Sequence, residues 1–313
     1  MRAIRMLRER APLVEQVVDD PVAAPGEVVV DIRCAGICHS DAHYRADASR
    51  VRLPVTLGHE IAGVIAGTGQ RVALHYLLPN GDMLGKERDG GYAERIAVPA
   101  ANAVPIPDEV SFEQAAIMMC STATALHALR LASFQPGEAL GIIGFGGLGI
   151  SALQLGRALG ASRVVVAEVV PEKRALAASM GAEAGALDGV DVALDFAGHA
   201  PTTLTALRAL APGGRLVLVA INLRELTIDA YADVLARERR IIGCSDHTRE
   251  ELVELLELAR RGAIDLTEAI TRRVPLDAAR INEVLDELER GTSHVRTVIR
   301  EHRPGSPVFD RDA

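Results

Sequence analysis

The chain has 313 residues, enough for two domains with separate cores. Its 34 basic and 42 acidic residues give a formal net charge of −8, and the acids are scattered rather than gathered in a tail, which argues against a nucleic-acid or anionic-membrane surface. Apolar stretches are strand-length, below the ~18 residues a membrane span needs. The start, Met1 to Arg5, lacks the apolar run of a signal peptide, so the expected compartment is the cytoplasm.

Up to about Pro105 the pattern predicts short β-strands divided by Gly and Pro: Arg2 to Met6, Glu27 to Cys34, Glu60 to Ala66, Arg71 to Tyr76 and Tyr92 to Val98. Ser111-Phe112-Glu113-Gln114 is a capping box that opens a helix. A second helix is expected from near Ser121 to Ala132. From Gly137 the rhythm becomes strand, helix, strand. Strands are expected at Ala139 to Ile143, Arg163 to Ala167, Asp191 to Phe196 and Arg215 to Val219. Helices are expected at Gly146 to Leu159, Glu172 to Met180 and Thr203 to Leu210. Near-continuous apolar strands between helices predict a parallel sheet covered on both faces, a doubly wound α/β domain. Two helices, Arg249 to Arg261 and Ala278 to Arg290, and a strand from Val295 to Arg300 follow. The tail from His302, with Pro304, Gly305 and Pro307, reads as loose.

Gly144, Gly146 and Gly149 fit G-x-G-x-x-G, with Gly147 inside the motif, between a strand and a helix. The first glycine makes the turn, the second admits the pyrophosphate and the third lets helix and strand pack closely. Glu168 ends the next strand, 19 residues after Gly149, where a carboxylate would hold the ribose hydroxyls and repel a 2′-phosphate. NAD is therefore the expected cofactor. A solvated strand-end charge is the alternative for Glu168.

The four cysteines are Cys34, Cys38, Cys120 and Cys244. In a cytosolic chain they read as metal ligands or core thiols before disulfides, and Cys34 and Cys244 read as core thiols. Cys38 and Cys120 stand with His59 in three local phrases: Cys38-His39-Ser40-Asp41, Gly58-His59-Glu60 and Met119-Cys120-Ser121-Thr122-Ala123-Thr124. Two thiolates and a neutral imidazole make a formally uncharged zinc site with one open corner, which can polarise a substrate oxygen. Asp41 is expected to accept from the His59 ring and fix its tautomer. Ser40 and His43, three residues apart, share one face of a helical turn.

These phrases resemble the zinc-dependent alcohol dehydrogenases of the medium-chain dehydrogenase/reductase family, over nearly the whole chain. The resemblance implies a β-rich GroES-like catalytic domain, residues 1–121 and 247–313, with a Rossmann domain at 122–246 and the active site in the cleft between them. It implies one catalytic zinc on Cys38, His59 and Cys120, with Glu60 near the metal as an alternative ligand. It implies a relay in which Ser40 takes the alcohol proton, the cofactor ribose passes it on and His43 delivers it to solvent. Arg296 matches an arginine that reaches the pyrophosphate, and His39 a position that touches cofactor phosphate. Thr124 matches a residue beside the nicotinamide, although Ser121 or Thr122 could hold that place. Tyr76 matches an aromatic of the substrate pocket. Relatives with two zincs carry four cysteines in a lobe whose counterpart here, Leu77 to Gly91, has none, so a structural zinc is excluded on ligand count. A small alcohol or carbonyl substrate and a homo-oligomer, dimer or tetramer, are expected. Two other readings stay open: a zinc-free NAD(P)H quinone or enoyl reductase, and a nucleotide-binding protein without turnover.

Overall fold

The computed structural model describes residues 1–221, 225–291 and 294–300. The tail from His302 lies outside the described residues. In chain order the first elements are β1 (Arg2–Met6), β2 (Val14–Val17), β3 (Glu27–Ile37), α1 (His39–Ala46), β4 (Val55–Thr56), β5 (Glu60–Ile65), β6 (Arg71–Leu74), β7 (Arg95–Pro99) and β8 (Ala103–Pro105). Next come α2 (Phe112–Ile117), α3 (Ala123–Leu131), β9 (Ala139–Ile143), α4 (Gly147–Ala158), β10 (Arg163–Ala167), α5 (Pro171–Ser179), β11 (Glu183–Ala184), β12 (Val190–Asp195), α6 (Ala200–Ala209), β13 (Leu210–Leu218) and β14 (Arg240–Gly243). The chain closes with α7 (Arg249–Arg260), β15 (Ile270–Val274), α8 (Ala278–Arg290) and β16 (Arg296–Arg300).

Two compact units form. One holds Met1–Ile106, Arg272–Gly291 and the strand residues from Thr297 on; the other holds Pro107–Thr271 and the residues up to Arg296. The sequence reading set the limits at 121/122 and 246/247. The intervening helices make their hydrogen bonds inside the second unit: Gln114 Nε2 donates to Thr267 Oγ1 at 3.1 Å, the Thr122 and Ser151 hydroxyls lie 3.0 Å apart, and His127 Nδ1 lies 3.0 Å from Glu251.

The first unit is β-rich. A small sheet runs β2-β1-β4, and a larger one runs β15-β16-β3-β5-β6-β8 with β7 also on β3. The long β3 meets β5, β7 and β16 in antiparallel register. That register puts Gly36 opposite Glu60. Helix α8 presents Ile281, Val284 and Leu285 at helical spacing to a core that includes Ile37, Ala42, Leu57 and Tyr92. Each fully buried aliphatic side chain there contributes about 1.5–3 kcal/mol.

The second unit carries a parallel sheet in the order β11-β10-β9-β12-β13-β14. Counting its strands along the chain, this is the 3-2-1-4-5-6 order of dinucleotide-binding sheets, whose ligands sit at the strand ends where the order reverses. Central β9 is buried at all five positions, as a strand covered on both faces must be. Helix α2 starts as its capping residues predict, with Ser111 Oγ accepting from Gln114 N at 3.2 Å. The following helix differs from its expected run. Met118–Thr122 forms a π turn, in which Ala123 N reaches Met118 O, before α3 begins. Such widened turns cluster at functional positions, and Cys120 sits in this one.

Candidate active site

Strand β3 ends at Ile37, and Cys38 caps α1 with extended backbone (φ −100°, ψ 153°). Asp41, third in the helix, accepts from Cys38 N through Oδ2 at 2.9 Å. His59 lies just before β5 and Glu60 begins it. Cys38 Sγ, a ring nitrogen of His59 and a carboxylate oxygen of Glu60 lie within 4.8 Å of one another, all buried. A Cβ at Gly36 would sit 1.8 Å from Glu60 Oε2, so only glycine at this position of β3 leaves room for that carboxylate.

Asp41 Oδ1 is 3.3 Å from His59 Nδ1, an ion-pair distance rather than a well-aligned hydrogen bond. Burial alone would lower the His59 pKa. The Asp41 carboxylate, and then Cys38, outweigh it and hold it well above the ordinary value. A thiol and two carboxylates thus converge on one imidazole, and the cluster is short of positive charge. Sulfur and nitrogen donors that are buried together and electronegative fit a zinc ion.

Asp41 has a further partner that the sequence reading missed. Tyr92 donates its hydroxyl to Asp41 Oδ2 at 2.7 Å, and neither residue is exposed. Burial first, and the Asp41 charge second, raise the phenol pKa well above 10, which keeps it a donor. The sequence pattern starts a strand at Tyr92, yet β7 starts only at Arg95. The Tyr76 ring stands edge-on to His59, with centroids 5.3 Å apart and planes at 78°.

Ser40 Oγ lies 3.6 Å from Cys38 Sγ. His43, one turn on, is half-buried and stacks on exposed His39, with centroids 4.7 Å apart. Burial first, then the His39 charge, push the His43 pKa below 6.5.

In the second unit, Gly144 has φ +89°, left-handed backbone that favours glycine. A Cβ at Gly149 would lie 2.3 Å from Gly144 O, which explains the third glycine of the motif. Gly146 caps α4, and a Cβ there would meet nothing within 4 Å. That open space at a helix N-terminus suits a pyrophosphate. Gly147 has a use its motif position did not announce. A Cβ there would fall 2.5 Å from Arg296 Cδ, so the buried arginine lies across the glycine turn.

Glu168 follows β10. Its Oε2 accepts from Phe145 N at 2.7 Å, and its Oε1 from Val169 N at 2.7 Å and Val170 N at 2.9 Å. It braces the glycine turn. The Ser121 hydroxyl donates to Ile117 O and that of Thr122 pairs with Ser151, so both are used inside their own unit. Thr124 is 9% exposed. Cys120 is half-buried on the π turn. Cys34 is buried in β3; Cys244 is half-buried, and burial pushes its thiol up to about 12, as suits an unreactive thiol.

A buried sulfur–nitrogen cluster on a β-rich unit and a glycine turn on a 3-2-1-4-5-6 sheet define a zinc-binding, nucleotide-dependent dehydrogenase as the class. Residues 24–108 match the alcohol dehydrogenase GroES-like domain, and residues 183–261 match the zinc-binding dehydrogenase domain. An alcohol dehydrogenase of Geobacillus stearothermophilus is 31% identical, over 96% of this chain and 99% of that one. An NAD-dependent alcohol dehydrogenase of Sulfolobus acidocaldarius is also 31% identical, with the same coverage. The solved acetophenone reductase of Geotrichum candidum, in complex with NAD, superposes with a TM-score of 0.86 at 25% identity, covering 96% of this chain and 97% of that one. The chain belongs to the zinc-type alcohol dehydrogenases of the medium-chain dehydrogenase/reductase family.

Proposed function

We propose that the protein interconverts an alcohol and its aldehyde or ketone, with NAD as the hydride carrier and one zinc held by Cys38, His59 and Cys120. The buried meeting of Cys38, His59 and Glu60, braced by Asp41, carries this reading. When bound, zinc supplies Lewis acidity that makes an alcohol hydroxyl far easier to deprotonate, and the nicotinamide supplies the hydride acceptor. The chain's own residues do the rest. Ser40, beside Cys38, accepts the alcohol proton, and His43, one turn further on the same helix, passes it to solvent. Glu60, in the slot left by Gly36, is held as a reserve ligand. Tyr76 walls the substrate side of His59. Gly144, Gly146, Gly147 and Gly149 with Arg296 receive the pyrophosphate, while His39 touches the phosphate, Thr124 flanks the nicotinamide and Glu168 takes the ribose hydroxyls.

A cytoplasmic setting belongs to this reading and fits cysteines used as metal ligands rather than as disulfides; among the described residues no helix is long and apolar enough to cross a membrane. It is a homo-oligomer in this reading. Strand β14 is an edge of the parallel sheet, and the segment before it exposes Tyr231 and Leu235.

The test is NADH absorbance over a panel of primary, secondary and aromatic alcohols, before and after chelation. Alcohol-dependent NADH formation that a chelator abolishes and zinc restores is the expected result. NAD binding without turnover would point to a silent nucleotide-binding protein. NADPH-driven quinone or enoyl reduction by a metal-free protein would point to the zinc-free branch of the family.

A further inference from the structure

The lobe between β6 and β7 has no cysteine, yet it is sewn tightly to the segment that carries His59. Gly90 N donates to Thr56 O at 2.8 Å, Gly91 N to Gly58 O at 2.7 Å and Tyr92 N to Leu57 O at 3.0 Å. A Cβ at Gly90 would fall 2.1 Å from Gly58 O, and one at Gly85 2.9 Å from the same atom, so the two backbones touch. From the other side, Ile4 N donates to Tyr92 O at 2.8 Å. Tyr92 therefore leaves the lobe at a fixed place, fully buried.

Its side chain reaches both segments that carry ligands in this unit. The ring lies flat on Gly58, where a Cβ would be 2.4 Å from Tyr92 Cδ1, and Gly58 takes φ +92° one residue before His59. The hydroxyl donates to Asp41 Oδ2, the same oxygen that accepts from Cys38 N. The other oxygen of Asp41 faces His59 Nδ1. Two donors on Oδ2 fix the carboxylate plane and so aim Oδ1 at the imidazole.

We propose that Tyr92 is a positioning residue for the metal centre, acting through Asp41 on His59 and Cys38, so that the cysteine-free lobe sets the geometry of the catalytic zinc. This rests on the metal reading given above. Partners that orient a ligating histidine typically change metal affinity or activity by roughly 10–100-fold when removed. Tyr92 is one bond further out, so the lower end of that range applies.

Tyr92→Phe keeps the ring on Gly58 and removes only the donor. Zinc-loaded wild type and variant are mixed with a chromophoric chelator and the release of metal is timed. The cobalt-substituted forms are compared by visible absorption. Release about tenfold faster, a shifted cobalt spectrum and an unchanged affinity for NAD are expected. In an Asp41→Asn background the same substitution should add little, because the two act in series. Identical release rates with superimposable cobalt spectra would overturn the proposal, as would full additivity with Asp41→Asn. So would a variant whose melting temperature falls while release and spectrum stay at wild-type values, since that is packing alone. A wild type that binds no zinc would overturn the metal reading and this inference with it; a zinc-binding wild type matched by Tyr92→Phe removes this inference only.

Discussion

In the proposed function two side chains govern how the site handles protons and cofactor. His43 is half-buried against His39, and its pKa is lowered, first by burial and then by that neighbour. A histidine with a depressed pKa stays neutral, and able to accept a proton, from neutral pH down into mild acid. His43→Gln should therefore slow alcohol oxidation most from neutrality down to the lowered pKa of His43, below which the wild type loses its base too. General-base contributions reach ~10²–10⁴-fold, but water can partly replace a relay end, so about tenfold is expected, with partial recovery on adding imidazole. A wild-type pH–rate profile, with hydride transfer rate-limiting, would remove His43 from the relay. Glu168 is the residue proposed to select the cofactor. Its charge meets ribose hydroxyls favourably and a 2′-phosphate unfavourably. Hydrogen bonds to ionised groups are worth about 1.5–3 kcal/mol, so kcat/KM should favour NAD over NADP by tenfold or more. Equal efficiencies would show that the carboxylate serves the glycine turn alone. At this scale the sequence is legible where a residue type has a local context: Cys38 and His59, which do meet in one buried cluster, and Gly144, which does take left-handed backbone. It gave no sign of Tyr92, whose role depends on a fold-back from the lobe to Asp41 across 51 residues.

At the scale of elements, α1 carries Ser40, Asp41 and His43, and its hold on α8 sets where they stand. Arg45 is 6% exposed, and its Nη2 donates to Asp286 at 2.6 Å and to Glu289 at 2.8 Å. Burial alone would lower its pKa, but the two carboxylates raise it. Those carboxylates are themselves 51% and 42% exposed and can be re-solvated. Arg45→Met should then cost only about 1–2 kcal/mol of stability. Asp286→Ala with Glu289→Ala removes both carboxylates from a buried guanidinium and should approach the roughly 3–5 kcal/mol of a broken buried pair. Urea melts of the two variants should fall in that order; the reverse order would mean that the pair contributes through packing rather than charge. Helix α8 was readable to the residue because its apolar positions repeat at helical spacing, and α2 at its start because Ser111 caps it. The two-residue β4 and β11 were not readable, since strands that short carry no period. The π turn at Cys120 was hidden for a related reason, because adding one residue to a turn leaves composition unchanged.

Across the whole molecule, the change of rhythm near Gly137 foretold a β-rich part and a doubly wound part, and the parallel sheet takes the 3-2-1-4-5-6 order. The limits between the parts were less legible. Helices α2, α3 and α7 look alike in sequence whichever core they serve, and only long-range pairs such as His127 with Glu251 assign them. Elemental analysis of exhaustively dialysed protein decides whether each chain holds a single catalytic zinc. Close to one zinc per chain is expected, lost together with activity in Cys120→Ala and kept in Cys244→Ala, whose thiol burial holds near pKa 12. A value near zero or two in the wild type, or full metal content in Cys120→Ala, would contradict it.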